Sequence, residues 1–247
     1  MPDSNSPSAI CLSVLIVSAL VLSVTARAQE RPPAAIEMAK TYGINSFGQI
    51  EKLRYTWNLE VPGMKISHTW EWEPKTGQVS YQSKDKEGKP VNVTYQRSQL
   101  DAQSETVKNE IDPAFINDQY WLLLPLHVAW DGAEVIDEGM NNLPLGQGSA
   151  ERLVVKYPSE GGYAPGDTWE LYLGADHQVK EIIYRGGGPG TQKRPKLLSA
   201  TWADHKKAGP LLIATDHRGT ADGVPLQVSL SDVSVKLMGL DTWMNAQ

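Results

Sequence analysis

The stretch Leu53-Arg54-Tyr55-Thr56-Trp57-Asn58-Leu59-Glu60-Val61 places Leu, Tyr, Trp, Leu and Val on one side of an extended chain and Arg, Thr, Asn and Glu on the other. Successive side chains of a strand point to opposite faces, so this alternation predicts a strand with one apolar and one polar face. Pro62-Gly63 turns the chain. Ile66, His68, Trp70 and Trp72 then alternate with Lys65, Ser67, Thr69, Glu71 and Glu73. After a second turn at Pro74-Lys75-Thr76-Gly77 come Val79, Tyr81 and Ser83, and Asp85 to Pro90 leads on to Val91, Val93 and Tyr95.

The turns test the register of this meander. A two- or four-residue loop around Pro62-Gly63 sets Trp57 opposite His68 and Tyr55 opposite Trp70. Four residues at Pro74 to Gly77 set Trp70 opposite Tyr81 and Trp72 opposite Val79. Both hairpins gather the aromatic rings on one face, as a single buried or half-buried surface requires. The third connection needs an odd length or a bulge to keep Tyr81 near Val93.

Outside the meander, Pro32-Pro33 opens a helix with Ile36, Ala39 and Tyr42 on one side and Gly43 as its stop. Asp112-Pro113 opens a second one, running through Phe115, Ile116, Tyr120 and Trp121 until Pro125 stops it. Loops rich in Gly and Asn follow. Further strands are expected at Glu151 to Tyr157, Thr168 to Leu173, Val179 to Arg185, Leu197 to His205, Pro210 to Asp216 and Gln227 to Leu237. The apolar phase of the last one slips between Leu230 and Val233, which predicts a bulge near Ser231-Asp232. Gly186 to Gly190 reads as a flexible loop. The expected fold is mainly β: a single curved antiparallel sheet of roughly nine to eleven strands, a half-barrel, with two short helices against its concave face.

The N-terminus reads as an export leader. Ala9 to Ala26 is nearly all Ile, Leu, Val, Ala and Ser, and Ala26-Arg27-Ala28 is a small-x-small cleavage pattern, although the residues before it hold Asp3 and no Lys or Arg. Residues 1–28 are therefore assigned to a signal peptide and residues 29–247 to one domain in the periplasm, with no transmembrane segment in the mature chain. Cys11, the one cysteine, would leave with the leader, and Ser8-Ala9-Ile10 before it does not fit lipid attachment. A net charge of −6 argues against nucleic acid as a partner. Eight Trp and nine Tyr stand against two Phe. Rings with a polar handle suit a surface that is apolar yet partly wet.

An N-terminal helix, a meander, an interrupting helix and a second meander together resemble the periplasmic lipoprotein-carrier (LolA/LolB-like) superfamily. The phrases that carry the resemblance are Trp70-Glu71-Trp72-Glu73-Pro74-Lys75-Thr76-Gly77, Phe115-Ile116-Asn117-Asp118-Gln119-Tyr120-Trp121-Leu122-Leu123-Leu124-Pro125 and Trp202-Ala203-Asp204-His205-Lys206. They look like those of exported relatives of the carriers more than of the carriers themselves. The resemblance covers roughly Ile36 to Leu237 and implies a half-barrel whose apolar inner face holds acyl chains.

Tyr55, Trp57, His68, Trp70, Trp72 and Tyr81 form the face that bears most on function, with Tyr120 and Trp121 of the second helix added as candidate ligand contacts. Two readings fit that face: a core packed under the helices, or a pocket for a hydrophobic ligand. His68 and His127, flanked by apolar groups, read as core or rim residues. Asp176-His177, Asp204-His205 and Asp216-His217 contain metal-ligand types, but adjacent strand residues point to opposite faces, and His205 is expected opposite a residue near Leu212, away from His217. No His-Glu-x-x-His, nucleophile elbow or phosphate loop is present. No catalytic residue, metal or cofactor is assigned. The leading expectation is a non-enzymatic carrier for a lipid or another hydrophobic small molecule. A structural module that binds an envelope protein and a metal-dependent hydrolase are the alternatives. N-terminal sequencing of the exported protein should begin at Gln29, and a chain starting at Met1 would show that the leader is retained.

Overall fold

The computed structural model describes residues 31–160, 165–187 and 196–247. The leader at 1–28 and the Gly188–Gly190 part of the expected loop lie outside them.

Two helices come first, α1 (Pro33–Thr41) and α2 (Ile44–Phe47), separated by Gly43 at φ 95°. The first meander is β1 (Ile50–Val61), β2 (Met64–Glu73), β3 (Gln78–Lys84) and β4 (Pro90–Gln96). A 3-10 segment (Arg97–Ala102) and one π turn (Val107–Ile111) lead into α3 (Asp112–Trp130). Next come β5 (Glu134–Asn142), β6 (Ser149–Lys156), β7 (Thr168–Leu173), β8 (Val179–Arg185) and β9 (Leu197–Thr201). The chain closes with β10 (Ala203–Ala208), β11 (Leu211–Ala221), β12 (Val224–Leu237) and β13 (Trp243–Asn245).

All these strands belong to one antiparallel sheet of thirteen, in the order β4-β3-β2-β1-β12-β11-β9-β8-β7-β6-β5, with β10 branching from β11 and β13 from β12. The sheet is open, with β4 and β5 at its two ends. The meander has the expected register. Trp57 faces His68, Tyr55 faces Trp70, Trp70 faces Tyr81, and Trp72 faces Val79. Lys84 pairs with Pro90, so five residues form the third turn, an odd number, and Tyr81 faces Val93.

The bulge in β12 also lies where the apolar phase slips. Arg54 faces Ser234 while Thr56 faces Ser231, so Tyr55 is opposed by two residues, and Asp232 adopts φ 52°. The extra residue restores Val233 and Val235 to the buried side.

Four expectations are corrected, the first being the strand number, thirteen among the described residues where nine to eleven were expected. α3 does not stop at Pro125 but continues to Trp130, so it is not short. Proline removes one helical N–H and crowds the preceding turn, and Leu123 absorbs the break by leaving helical geometry (φ −126°, ψ 18°). Burial of Leu124, Leu126 and Val128 keeps the rest of the helix in place beyond the kink. The expected loop after α3 contains a strand, β5, whose polar composition and register shift between Asp137 and Met140 hide its alternation. The single strand expected from Leu197 to His205 is split at Trp202 into β9 and β10, and His205 faces Ala214, two residues from Leu212.

At Gly219 the backbones of β11 and β9 approach closely, and a Cβ there would lie 1.7 Å from the Ser199 carbonyl oxygen. Backbone cannot move aside as a flexible side chain can. Gly219→Ala should therefore cost about 1–3 kcal/mol, read as a lowered urea midpoint, and an unchanged midpoint would show that β9 is free to shift.

Candidate functional site

The odd-numbered residues of β1 and the even-numbered residues of β2 build one apolar face, and α3 lies over part of it. Tyr55, Trp57 and Trp70 are buried, while His68, Trp72 and Tyr81 are half-buried. Trp57 stacks on His68 (centroids 5.4 Å, 18°), and Tyr81 touches His68 at 5.5 Å and Trp70 at 4.6 Å. From the helix, Phe115 reaches Trp70 at 5.4 Å and Trp72 at 5.8 Å. The structure thus brings together all six meander residues singled out in the sequence.

Two carboxylates fasten the helix to this face. Asp118, 1% exposed, takes a hydrogen bond from the Trp70 indole N–H at 2.9 Å, and its Oδ2 lies 2.7 Å from His68 Nδ1. Its other oxygen accepts from Asn117 Nδ2 at 3.0 Å. Six residues earlier, buried Asp112 accepts from the Tyr95 hydroxyl (2.9 Å) and from Arg97 Nε (2.8 Å). Burial pushes Asp118 above the ordinary carboxylate range, and the bonds from His68, Asn117 and Trp70 only partly oppose it.

Tyr120 and Trp121 do not join the meander face. Trp121 stacks on Trp202 (5.8 Å, 12°) beside His217. Burial pushes His217 down to about 3, so its ring is neutral. Tyr120 stacks on His127 at 4.0 Å and lies near Trp169 and Tyr157. The hydroxyls of Tyr120 and Tyr157 both donate to Asp131 Oδ2, at 2.6 and 2.9 Å. Burial raises Asp131, and its bonds from His127, Tyr120 and Tyr157 outweigh that, holding it below the usual range. Arg31 donates to the Asp131 and Ala133 carbonyls, tying the start of the described chain to the end of α3.

Of the Asp-His pairs, His205 Nε2 meets the Tyr42 hydroxyl at 2.7 Å, His217 is buried against Trp202, and His177 sits in a turn at φ 57°. No group of three or more His, Cys, Asp or Glu able to hold a metal ion occurs among the described residues.

The cover over the apolar face is incomplete. Along the same face beyond Trp57 and His68, Leu59, Ile66 and Val61 are only half-buried, and Met64 at the hairpin tip is 49% exposed. A cleft of about 660 Å³ opens between the tips of the β1–β2 and β11–β12 hairpins, lined by Val61, Met64 and Leu226 of the apolar face and by Glu60, Lys65, Arg218 and Gln227 of the opposite one. Both cations already have partners, Lys65 on Glu60 and Arg218 on Asp216. Two polar atoms on the covered part, the Tyr55 hydroxyl and the Trp57 indole nitrogen, are buried without a hydrogen-bond partner. Such atoms are uncommon in dry cores.

The sequence reading did not single out Asp118, Leu59 or Ile66. Asp118 sits in the polar triplet Asn117-Asp118-Gln119, which interrupts the apolar run from Phe115 to Leu126. No helix among the described residues is long and apolar enough to cross a membrane.

No protein-family model and no curated protein matches the chain. Among solved structures it is similar to a DUF1329 family protein from Desulfovibrio piger, at 10% identity and TM-score 0.42, over 84% of this chain and 92% of that one. A structure described as an outer-membrane lipoprotein-sorting protein domain from Vibrio parahaemolyticus gives 10% identity and TM-score 0.43, over 83% and 93%. The Mycobacterium tuberculosis lipoprotein LppX gives 6% and 0.28, over 82% and 96%.

Asp118 is more protonated when folded than when unfolded above its ordinary value of 3.8. Stability from this group is therefore complete below 3.8 and falls as pH rises toward the raised folded value. Replacing Asp118 with Asn removes that loss. Urea melts at about pH 4 and about pH 7 should show wild type losing ground to Asp118→Asn at the higher pH. The opposite trend would mean that the carboxylate is ionised and stabilising in the fold.

Proposed function

We propose that this chain is a non-enzymatic periplasmic carrier that holds a hydrophobic ligand, a lipid or acyl chain, along the concave face of its sheet. Residues 1–28 serve as the export leader and residues 29–247 form the single binding domain. The observation that carries this reading is the graded cover of one continuous apolar face, sealed by α3 over Tyr55 and Trp70 and open from Leu59 and Ile66 to the cleft at Met64.

The mechanism is burial. Each methylene taken out of water contributes about 0.8 kcal/mol, so a hydrocarbon tail needs no polar catalyst to be held. A tail enters at the open end, lies over Ile66 and Leu59, and reaches Trp57. The unpartnered Trp57 indole N–H and Tyr55 hydroxyl give the inner end of this path two polar handles. Going deeper requires α3 to yield. Each of the bonds that tie Asp118 to the sheet is worth about 0.5–1.5 kcal/mol, comparable to about one or two methylenes. A long acyl chain therefore contributes enough to loosen the cover, and a short one does not. On this reading His68, Trp70, Trp72 and Tyr81 form the deep part of the site, with Tyr120 and Trp121 beyond it on the helix.

Ile66→Glu tests the proposal where the face is half-open, so that folding is spared. Native mass spectrometry of the protein purified from its own envelope should show extra mass matching a lipid on wild type and lose it in Ile66→Glu, with little change in melting temperature. Wild type that carries no lipid and takes up none from vesicles would contradict the carrier reading.

A further inference from the structure

The two ends of the sheet are finished differently. At one end, β5 carries Glu134, Asp137 and Glu138, a register shift between Asp137 and Met140, and Gly139 at φ 67°. Charge and a bulge are the devices by which a sheet edge avoids pairing with another strand. At the other end, β4 reads Pro-Val-Asn-Val-Thr-Tyr-Gln, with no charge and an unbroken register against β3. Its one guard is Pro90, at its first position.

The hydrogen-bond phase of β4 shows what this edge offers. Arg97 N–H donates to the Gly77 carbonyl (3.0 Å) and Asp85 N–H to the Lys89 carbonyl (2.9 Å). Opposed residues of an antiparallel pair alternate between bonded and non-bonded. With the observed register, Val91, Val93 and Tyr95 therefore exchange bonds with β3, and Asn92, Thr94 and Gln96 direct N–H and C=O away from it. No described strand pairs with β4 on that side. The Asn92 and Thr94 side chains are exposed.

We propose that the β4 edge pairs with β4 of a second copy of this chain, antiparallel, about a two-fold axis at Thr94. This register opposes Thr94 to Thr94 and Asn92 to Gln96 through the outward backbone groups, and Val93 to Tyr95 on the apolar face. Thr–Thr and aromatic–β-branched pairs are favourable cross-strand neighbours. The existing outer-face contact of Thr94 with the Ser80 hydroxyl (2.9 Å) continues into the same polar ladder. β4 is close to palindromic in polarity and carries no charge to repel its copy, which favours self-pairing over an unrelated peptide. The five opposed residues, Asn92 to Gln96, form a seam of about 17 Å. It buries on the order of several hundred Å² per copy, the low end for specific contacts, so the dimer is weak, with Kd on the order of micromolar or above.

Sedimentation velocity of the purified protein over a concentration series should show a monomer–dimer equilibrium. Thr94→Pro removes an outward N–H that β3 does not use, and Thr94→Lys sets two like charges face to face. Both should be monomeric throughout, whereas Thr94→Val should dimerise like wild type. Should Thr94→Pro fail to fold, Thr94→Lys together with amide exchange decides, because Asn92, Thr94 and Gln96 should gain protection as wild-type concentration rises. A wild type monomeric up to about 1 mM, a dimer undiminished in Thr94→Lys, or no concentration-dependent protection at those amides would overturn the proposal.

Discussion

Asp118 joins the two layers of this protein. It is buried on α3, and it reaches across to the sheet, where the Trp70 indole and the His68 ring meet its carboxylate. The contact has consequences in both directions. It fixes which turn of α3 lies over the aromatic rows, and it places Phe115 against Trp70 and Trp72. It also limits how far the cover extends. Beyond His68 no comparable polar anchor among the described residues holds the helix down, and the apolar face runs on half-open to the hairpin tips. A buried carboxylate is costly unless its bonds are satisfied, so these bonds favour one position of the helix over the sheet.

The aromatic composition follows from the same constraint. A face of Leu and Val would seal under the helix and need nothing polar. Trp70 instead supplies the N–H that Asp118 needs, and Tyr95 supplies the O–H that Asp112 needs. The polar handles of Trp and Tyr thus hold α3 in register. Tyr55 and Trp57 are the two inner-face rings in β1 whose handles find no partner, and Trp57 sits where the cover ends. Core and pocket, posed by the sequence as alternatives, occupy successive rows of one surface: core beneath α3, accessible apolar surface beyond it.

Local order was legible in the sequence and long-range order was not. Pro62-Gly63 and Pro74 to Gly77 carry their own turn chemistry, so the register from Tyr55 through Trp70 to Tyr81 follows from loop length and parity alone. The slip between Leu230 and Val233 marked the bulge for the same reason. Parity says nothing about which distant strand joins β1, and its pairing with β12 is a non-local contact that no turn dictates. Edge strand β5 was missed because its bulge interrupts the alternation that identifies a strand. The passage of α3 through Pro125 was missed because burial of Leu124, Leu126 and Val128 overrides a local stop signal. For the site, the meander rings were visible as a pattern. Tyr120 and Trp121 were grouped with them although the helix turns both toward other strands.

The proposed carrier role requires a hydrocarbon guest to lie on the concave face and reach Trp57, where the cover begins. Indole N–H resonances observed by ¹⁵N-edited NMR during titration with a long-chain acyl ligand test this most directly. Trp243, stacked beneath Arg54 at 4.4 Å on the opposite face, is the internal reference. A guest on this face should give a saturable shift of the Trp57 indole while Trp243 stays still. A titration in which Trp57 does not move, or in which both move together, would contradict it.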